Sequence, residues 1–416
     1  MKKLLIIAIF HTLVFASFNG VIIDANTSSP ICNAIISDSK HSVRSDDNGS
    51  FTLQSDENTY HIKAYGHKPF SFDKDMNLTC IKVEPINVKA LYLTFWGANA
   101  HSKTFKKILN IIEKSEVNAV VVDIKNEYGS TSYKTSFKQA NNYGAYKHRT
   151  NRNIQEFMEL MKSKNIYTIA RIVVFKDELQ ASNNPSYAIK KADGTIWRNH
   201  DNMAWVDPFD KRAHEYTISI AEEAAKVGFD EINFDYIRFP AKSGLKLSKE
   251  NNAKNRIKAI GDFLSLAQKR LRKYGVFISV DTYGNICWSK DDNNIGQTVS
   301  SLAAHADYLS PMLYPSGFSS GSFYFKYPAD HPHAVIYRSI KNTKDRIKTL
   351  RIRPWLQYFR DYTTKKRHYG KFEVTEQIRA TREVKTGGWM MWSPSSKYHL
   401  DYFNKNKEVL KQIVSR

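Results

Sequence analysis

The sequence predicts an α/β protein in which a small all-β sandwich domain precedes a (β/α)8 TIM barrel. In the first part, residues 20–88 hold short β-prone runs bounded by Asn, Ser, Asp or Gly, and SDDNGSF is a strong hairpin-type turn because Asn-Gly supplies positive φ angles. From residue 90 onward, short apolar strands alternate with amphipathic segments of helical period. Eight such strand-then-helix repeats are typical of a closed barrel.

The eight predicted strands follow one another at regular spacing. They cover residues 90–96, 118–126, 167–175, 231–239, 276–284, 306–315, 353–359 and 387–394. Between most of them lie segments of helical period, namely FKKILNIIEKS, IQEFMELMKSKN, AHEYTISIAEEAAKVG, NRIKAIGDFLSLAQKRLRKYG and FEVTEQIRATREVKTG. A doubly wound open sheet is the structural alternative, and it would need a Gly-rich phosphate turn only if it bound nucleotides.

We divide the chain into four segments on these patterns. They are an export signal at 1–16, the sandwich at 17–88, the barrel at 89–400 and a C-terminal helix or tail at 401–416. In the first segment, Lys2 and Lys3 precede the apolar run LLIIAIFHTLVFA, and Val14-Phe15-Ala16 loosely matches a small-residue cleavage pattern. We therefore expect an exported protein, periplasmic or extracellular, with an uncleaved anchor as the alternative.

The three cysteines fit that compartment. Cys32 and Cys80 both fall in the first hundred residues, and whether they form a disulfide stays open because the sequence does not supply the geometry. Cys287 is then an odd thiol that we expect to be buried. No CxxC pair or HExxH run offers a metal site, and we interpret the loop histidines His331 and His333 as polar surface.

The charge balance favours anionic partners. The chain has 62 basic and 41 acidic residues and a net charge of +21, a field that attracts anions over long range. Acidic glycans, the cell envelope and lipid head groups all qualify, and a basic surface without a specific role is the alternative. We expect no nucleic acid partner, since no helix-turn-helix, RRM or zinc-finger pattern is present.

Polar residues cluster at the predicted strand ends, where the active site of a barrel forms. The clearest case is DEINFDYIRFP (230–240), in which Asp235 interrupts an apolar run and Arg238 follows. Asp281 occupies the equivalent place on the next strand. Two carboxylates so placed can lie roughly 5–9 Å apart, which is the separation that glycosidases use. Asp123 is a third catalytic candidate, either as the second carboxylate or as a residue that orients substrate hydroxyls.

The remaining strand-end residues are candidates for substrate binding. Sugar rings stack on aromatic faces, which suits Tyr314 and Trp392 at the strand ends, whereas we expect Trp389 to lie in the core. An arginine near Asp235 could hold it ionised, and a purely structural Asp–Arg pair is the alternative. The predicted substrate-binding set is Arg171, Arg238, Lys125, Tyr314, Gln357 and Trp392.

The motifs VVVDIKNEYGSTSY, GFDEINFDYIRFP and GGWMMWSPSSKY, within a match from about residue 90 to 398, resemble the putative glycosyl hydrolase (β/α)8-barrel family. The resemblance implies a secreted barrel related to retaining α-glycosidases and amylase-like enzymes. In the first domain, the motifs PICNA (30–34), DDNGSF (46–51) and YHIKAYG (60–66) resemble a carboxypeptidase-regulatory-like β-sandwich, which implies a spacer or adhesion module.

The resemblance also implies residue roles. In amylase-like relatives the nucleophile ends the fourth barrel strand and the acid/base ends the fifth, which correspond here to Asp235 and Asp281. The chain departs from the commoner pattern in two ways: the acid there is glutamate, and Asn233 stands where an arginine precedes the nucleophile.

These observations predict a secreted glycoside hydrolase that cleaves a polysaccharide or oligosaccharide by a two-carboxylate mechanism, with anionic glycans among the candidates. That chemistry needs no metal or organic cofactor. The rival prediction is a non-catalytic glycan- or envelope-binding protein on a barrel that has lost its chemistry. Polysaccharide deacetylation would need a His-rich metal site, which the strand ends do not offer.

Overall fold

The computed structural model describes residues 17–76, 79–348, 351–363 and 365–403. The predicted export signal (1–16) and most of the predicted C-terminal segment lie outside the described residues. The chain divides between Pro85 and Ile86 into two compact units, a few residues before the boundary that the sequence suggests. In the part of the chain that is described, no helix is both long and apolar enough to cross a membrane.

The first unit is built from short strands in two sheets around one apolar core. Strand order is β4-β1-β7 in one sheet and β3-β2-β5-β6 in the other. The core contains Ile22 of the first sheet and Ile36 and Tyr60 of the second. The strands are β1 (Ser17–Asp24), β2 (Ile35–Ser37), β3 (Ser42–Arg44), β4 (Ser50–Gln54), β5 (Thr59–Lys63), β6 (Phe70–Asp73) and β7 (Cys80–Val83).

The predicted Asn-Gly turn lies between β3 and β4, but these two strands belong to different sheets, so the turn does not form a hairpin. Gly49 has a φ of +75°, and a Cβ there would lie 2.5 Å from the carbonyl oxygen of Ile22, so the position favours glycine. The disulfide left open by the sequence is not formed, since Cys32 and Cys80 are exposed free thiols. The Cys32 Sγ lies 3.1 Å from Asp47 Oδ1 instead. Cys287 is a buried free thiol, which confirms the expectation for it.

The second unit is a closed barrel of parallel strands, which confirms the predicted fold class. The strand order is β8-β9-β10-β11-β12-β13-β14-β15, closed by pairing of β15 with β8. The strands are β8 (Val88–Leu93), β9 (Ala119–Lys125), β10 (Tyr167–Val173), β11 (Glu231–Asp235), β12 (Phe277–Tyr283), β13 (Tyr308–Met312), β14 (Trp355–Gln357) and β15 (Gly388–Trp392).

Helices follow the barrel strands and cover them. They are α1 (Lys103–Lys114), α2 (Lys138–Asn142), α3 (Ile154–Ser163), α4 (Glu178–Asn183), α5 (Lys211–Lys226), α6 (Ala253–Leu271), α7 (Val299–Ala303), α8 (Pro332–Arg346) and α9 (Lys371–Glu383). Several start at a side-chain N-cap, for example Ser102, which accepts a hydrogen bond from the Phe105 amide. The sequence did not single out α8, because its many polar residues weaken the apolar period.

The barrel strands have two different faces. Outward-facing residues such as Val120, Val122 and Phe234 join the helices in the larger apolar core. Inward-facing residues form a separate cluster that includes Val121 and Tyr167. Side chains alternate along a strand. Residues two or four positions beyond these inward-facing ones therefore also point into the barrel, and they include the strand-end carboxylates and the arginine.

A buried ion pair lies deeper inside the barrel. Arg353 Nη1 lies 2.6 Å from Glu231 Oε2, and Tyr167 donates its hydroxyl hydrogen to the same oxygen at 2.9 Å. Glu231 is the first residue of β11 and Asp235 is the last. The fourth barrel strand therefore carries one inward carboxylate at each end, and the charged pair at its amino end is structural.

Candidate active site

A cavity of about 210 Å³ opens at the carboxyl ends of the barrel strands. It is the position at which barrel enzymes place their active sites. The residues that line it are Glu127, Arg171, Asp235, Tyr236, Arg238, Asp281, Met312, Tyr314, Trp355 and Trp392. Within the described ranges, no group of three or more His, Cys, Asp or Glu is arranged to hold a metal ion.

Asp235 is held in place by hydrogen bonds from the neighbouring strand β10 and from the residue that follows it in the chain. Arg171 donates to Asp235 Oδ2 from Nε at 3.0 Å and from Nη2 at 2.5 Å. The backbone amide of Tyr236 donates to the other oxygen, Oδ1, at 2.6 Å. All three bonds are donated to the carboxylate, so its charged form is well accommodated although the residue is only 7% exposed.

The fourth barrel strand ends earlier than predicted, and the reason lies at Tyr236. This residue has a φ of +51°, which is outside the extended region and rare for a bulky side chain. The strand therefore stops at Asp235 instead of continuing to residue 239. Strain of this kind costs on the order of 1–3 kcal/mol and is concentrated at functional sites.

Arg171 joins three carboxylates. In addition to Asp235, its Nη1 donates to Asp123 Oδ1 at 2.6 Å and its Nη2 to Glu127 Oε1 at 3.3 Å. Its guanidinium lies 5.2 Å from the ring centroid of Trp392. Burial acts to lower the pKa of Arg171, but the negative charges of Asp123, Asp235 and Glu127 outweigh it and raise that pKa well above its usual value.

Asp281 lies in a different environment from Asp235. Its Oδ1 accepts hydrogen bonds from Asn233 Nδ2 at 2.8 Å and from Trp355 Nε1 at 2.7 Å. Burial, and then the negative charge of Asp235, raise the pKa of Asp281 well above its ordinary value, and the two hydrogen bonds only partly offset this. A carboxyl group whose pKa is raised in this way is suited to act as a general acid.

Asp123 lies behind Arg171 and does not line the cavity. Its Oδ2 accepts a 2.5 Å hydrogen bond from the hydroxyl of Tyr92, while Oδ1 accepts from Arg171. Burial raises the pKa of Asp123, with Arg171 acting in the opposite direction. These contacts give Asp123 a position from which it orients Arg171.

Glu127, which was not among the residues predicted from the sequence, lines the cavity where Asp123 does not. It lies in the loop that follows β9. Burial acts to raise its pKa, but the charge of Arg171 and a backbone hydrogen bond more than offset this, so the pKa of Glu127 is lowered. Glu127 could have been identified from the sequence, because it belongs to the same polar strand-end motif, VVDIKNEYG, as Asp123.

Two of the predicted substrate-binding residues lie away from the cavity. Lys125 is fully buried, with Nζ 2.7 Å from Asp177 Oδ2 and donating to the Val173 carbonyl at 2.6 Å. Gln357 accepts from the hydroxyl of Ser316 at 2.9 Å and donates to the Phe359 carbonyl. Both side chains hold neighbouring loops and strands together in this structure.

The other four predicted substrate-binding residues, Arg171, Arg238, Tyr314 and Trp392, all line the cavity. Trp392 stacks on Tyr92 at a centroid distance of 4.0 Å. By contrast, Trp389 is buried in the outer apolar core, as expected. Trp355, which the sequence places on a strand without a role, lines the cavity and donates to Asp281.

Exposed aromatic residues surround the cavity side of the barrel. In the described part of the barrel unit, the exposed large hydrophobic side chains all lie at a strand's carboxyl end, in the loop after it or in the first turn of the helix that follows. They are Trp96, Tyr128, Tyr283, Trp288, Tyr324, Tyr362 and Phe372. One aromatic path leads inward, because Tyr362 stacks on Phe359 at 5.9 Å and Phe359 contacts the cavity residue Tyr314 at 5.2 Å.

Comparison with solved structures places the barrel among known folds. The chain is similar to the glycoside hydrolase domain of PgaB (BpsB) from Bordetella bronchiseptica, with 13% identity, a TM-score of 0.52 and coverage of 74% of this chain and 94% of that one. At that identity the likeness concerns the fold. A hypothetical protein from Ruminiclostridium thermocellum is 34% identical over 46% of this chain and 96% of its own, with a TM-score of 0.41.

Sequence comparison gives the family. Among curated protein sequences, no relative matches the chain. A family model described as "Putative glycosyl hydrolase domain" matches residues 90–398. That range contains every barrel strand from β9 to β15, most of β8, and all the residues that line the cavity. The chain therefore belongs to this glycosyl hydrolase domain family.

Proposed function

We propose that this protein is a glycoside hydrolase that cleaves a polysaccharide, with Asp235 as the nucleophile and Asp281 as the general acid/base. The observation that carries the proposal is the contrast between two carboxyl groups in one cavity. Asp235 accepts three hydrogen bonds from N–H groups, whereas Asp281 is desolvated and has a raised pKa. Such a pair divides the roles of nucleophile and acid.

In the first step, protonated Asp281 gives its proton to the glycosidic oxygen while Asp235 attacks the anomeric carbon. The bond to the leaving sugar breaks as the bond to Asp235 forms, which leaves a covalent glycosyl-enzyme. The hydrogen bonds from Asn233 and Trp355 both go to Oδ1 of Asp281. Among the described residues, Oδ2 has no hydrogen-bond partner, so we assign the proton to that oxygen.

In the second step, Asp281 acts as a base. Esterification removes the negative charge of Asp235, and that charge is one cause of the raised pKa of Asp281. The pKa of Asp281 consequently falls in the intermediate, and its carboxylate takes a proton from water. The resulting hydroxide attacks the anomeric carbon, breaks the bond to Asp235 and releases the sugar with its original anomeric configuration.

The surroundings support a polymeric substrate. The exposed aromatic side chains that follow the barrel strands, such as Trp96 at 71% and Tyr362 at 57% exposure, extend beyond the cavity. Their flat apolar faces suit the C–H faces of further sugar rings. A substrate of several sugar units would contact these residues outside the cavity while one linkage lies between Asp235 and Asp281.

The test is Asp235→Asn, assayed by release of reducing ends from a panel of neutral and acidic polysaccharides. We expect turnover to be lost while the thermal midpoint and glycan binding stay close to wild type. The matched control is Asp207→Asn, because Asp207 is also a buried hydrogen-bonded carboxyl but lies outside the cavity. An Asp235→Asn variant that cleaves at the wild-type rate would overturn the assignment.

The same assay addresses the rival function. If the wild-type protein binds glycans of the panel but releases no reducing ends from any of them, the protein is a binding module and not a hydrolase. For a glycan that is cleaved, the anomer formed first is read by proton NMR. Retention supports the double displacement, and inversion would instead make Asp235 the base that activates water.

We also propose that the protein is exported and that residues 1–16 are removed. The basic start and apolar run carry this proposal. The described part of β1 starts at Ser17, the residue after the proposed cleavage position, so a chain processed there keeps every described residue of the first sheet. The mass of the protein recovered from the cell envelope or medium should correspond to a chain that starts at Ser17, and a chain that retains Met1 would contradict cleavage.

A further inference from the structure

Arg238 is a cation at the cavity wall that the proposed chemistry does not use. It lies just beyond the nucleophile candidate Asp235 and lines the same cavity. Its guanidinium is held among three aromatic rings, at 5.0 Å from Trp205, 5.1 Å from Tyr236 and 4.6 Å from Tyr283. Such stacking holds the group in a fixed place without neutralising its charge.

Arg238 has no carboxylate partner among the residues that the structure describes. One N–H donates to the carbonyl oxygen of Phe239 at 3.2 Å. The largely buried Arg256 and Arg353, by contrast, each form a short ion pair, with Asp292 and Glu231 respectively, at 2.6 Å. A half-buried guanidinium with uncommitted N–H groups is an uncompensated positive charge, and a bound anion would compensate it.

The second cation of the cavity is already committed. Arg171 uses four of its five N–H hydrogens in bonds to Asp123, Asp235 and Glu127. The charge of Arg171 is therefore matched by carboxylates, whereas Arg238 is paired with none of them, and Arg238 is the positive group of the cavity available to substrate. The net charge of +21 acts in the same direction, because it attracts a negatively charged polymer over long range.

We infer that Arg238 forms an anion subsite, at which a carboxylate or sulfate group on a sugar binds beside the catalytic pair. This inference rests on the proposed function, since it names the substrate class of that same site: an acidic polysaccharide. The anion accepts charge-assisted hydrogen bonds from the guanidinium, and the part-exposed ring of Tyr283, which stacks on Arg238, lies beside the sugar. No proton is transferred at this subsite.

The experiment compares glycans that differ only in charge. Oligogalacturonate, oligoglucuronate and oligomannuronate are each paired with their methyl esters, and chondroitin sulfate is paired with its desulfated form. The ratio of kcat/KM is measured on glycans that are cleaved. For the others, affinity is measured by calorimetry with Asp235→Asn. We expect at least one acidic form to be preferred by about 10- to 100-fold, the size of one or two charge-assisted hydrogen bonds.

Arg238→Gln tests whether that preference comes from this residue. We expect it to reduce kcat/KM or affinity on the acidic form by about 10- to 100-fold and on the ester by less than about 2-fold. Arg238→Lys, which keeps the charge but not the fork of donors, should retain part of the preference. If the glutamine variant does not fold, the partial loss of preference in the lysine variant provides the same test.

The matched control is Arg338→Gln. Arg338 also stacks on an aromatic ring, that of Phe325 at 4.9 Å, and donates to a carbonyl, that of Phe323 at 2.9 Å. It lies outside the cavity, and its loss changes the net charge by the same amount. We expect the preference for acidic glycans to be unchanged.

Three results would overturn the inference. They are equal use of acidic and esterified forms by the wild-type protein, an equal loss on both forms in Arg238→Gln, and a loss in Arg338→Gln as large as that in Arg238→Gln. These results differ from a failure of the proposed function, which is read from turnover by Asp235→Asn. The charge preference is read from binding even if no glycan in the panel is cleaved. A preference for only the carboxylate or only the sulfate pair identifies the anion.

Discussion

Arg171 and Asp235 are joined by two hydrogen bonds to a single oxygen, from Nε at 3.0 Å and from Nη2 at 2.5 Å. In the strand register, Arg171 lies opposite Asn233 and Val173 lies opposite Asp235. The arginine side chain therefore extends along the barrel interior toward the carboxyl end of the next strand. One planar guanidinium in this way fixes the orientation of the proposed nucleophile and of Asp123 behind it.

Arg171→Lys should separate orientation from charge. Lysine keeps the positive charge, but its three N–H donors cannot replace the four hydrogen bonds that Arg171 makes from a planar fork. We expect kcat to fall by at least about 100-fold, as for other displacements of a reacting group, and the free energy of unfolding to fall by about 1–3 kcal/mol from lost buried hydrogen bonds. Activity assays and chemical denaturation measure the two effects.

The control for that variant is Arg353→Lys. Arg353 is equally buried and also pairs with an inward carboxylate, Glu231, but at the amino end of the same strand. We expect a comparable loss of stability with kcat within about 2-fold of wild type at a temperature where both variants are folded. Equal kcat in the two variants would show that Arg171 has only a structural role.

The raised pKa of Asp281 predicts how activity depends on pH. The acid must be protonated, so activity should fall as the pH rises through this raised pKa, well above the ordinary carboxyl range. Asp281→Asn should abolish this basic limb. It should also reduce the rate far more on the natural glycan than on an aryl glycoside of the same sugar whose leaving group needs no proton. A basic limb that persists in Asp281→Asn would assign it to another group.

The same shift has a consequence for stability. Because the folded-state pKa of Asp281 lies above the unfolded value, the folded protein binds the extra proton, and the stability it contributes is lost as the pH rises from the unfolded toward the folded pKa. The free energy of unfolding of the wild type, relative to that of Asp281→Asn, should therefore fall as the pH rises. Urea titrations at several pH values measure this difference, and a flat difference would contradict the raised pKa.

Trp355→Phe should move the basic limb in a defined direction. The indole N–H stabilises the charged form of Asp281 through a 2.7 Å hydrogen bond, and phenylalanine removes that bond while keeping an aromatic ring. The pKa of Asp281 should rise further, so the basic limb should shift to higher pH. Trp389→Phe, in the outer core, is the control and should change stability without shifting the limb.

Tyr362→Ala tests the aromatic path outside the cavity. Tyr362 is exposed and stacks on Phe359 with ring planes 5° apart. Loss of a stacking platform for a sugar should lower kcat/KM on a polymer by about 5- to 50-fold, corresponding to about 1–2 kcal/mol, with little change on a substrate short enough to fit the cavity. Tyr337→Ala, on helix α8, should leave both rates unchanged. An equal loss on short and long substrates would place Tyr362 inside the catalytic site.

The architecture of this protein could be predicted from its sequence, because the periodicity of apolar residues is a local property of the chain. Alternating strands and helices predicted the closed barrel, and Asn-Gly predicted the turn between β3 and β4, although these strands pair in different sheets and form no hairpin. Asp235 and Asp281 could be singled out for the same reason, since each is a charge within an apolar strand. Helix α8 was not predicted, because its many polar residues weaken the helical period of its apolar residues.

Which strand-end residues meet, and in which protonation state, depends on contacts that form only in the folded barrel. Lys125 and Gln357 follow the same pattern as Arg171, yet they bond to Asp177 and Ser316 away from the cavity, whereas the unpredicted Glu127 lines it. The partners of a side chain depend on the register between neighbouring strands and on the path of the following loop, which are set by contacts distant in sequence. The protonation state of Asp281 depends likewise on its burial and its distance from Asp235, and these exist only once the barrel has closed.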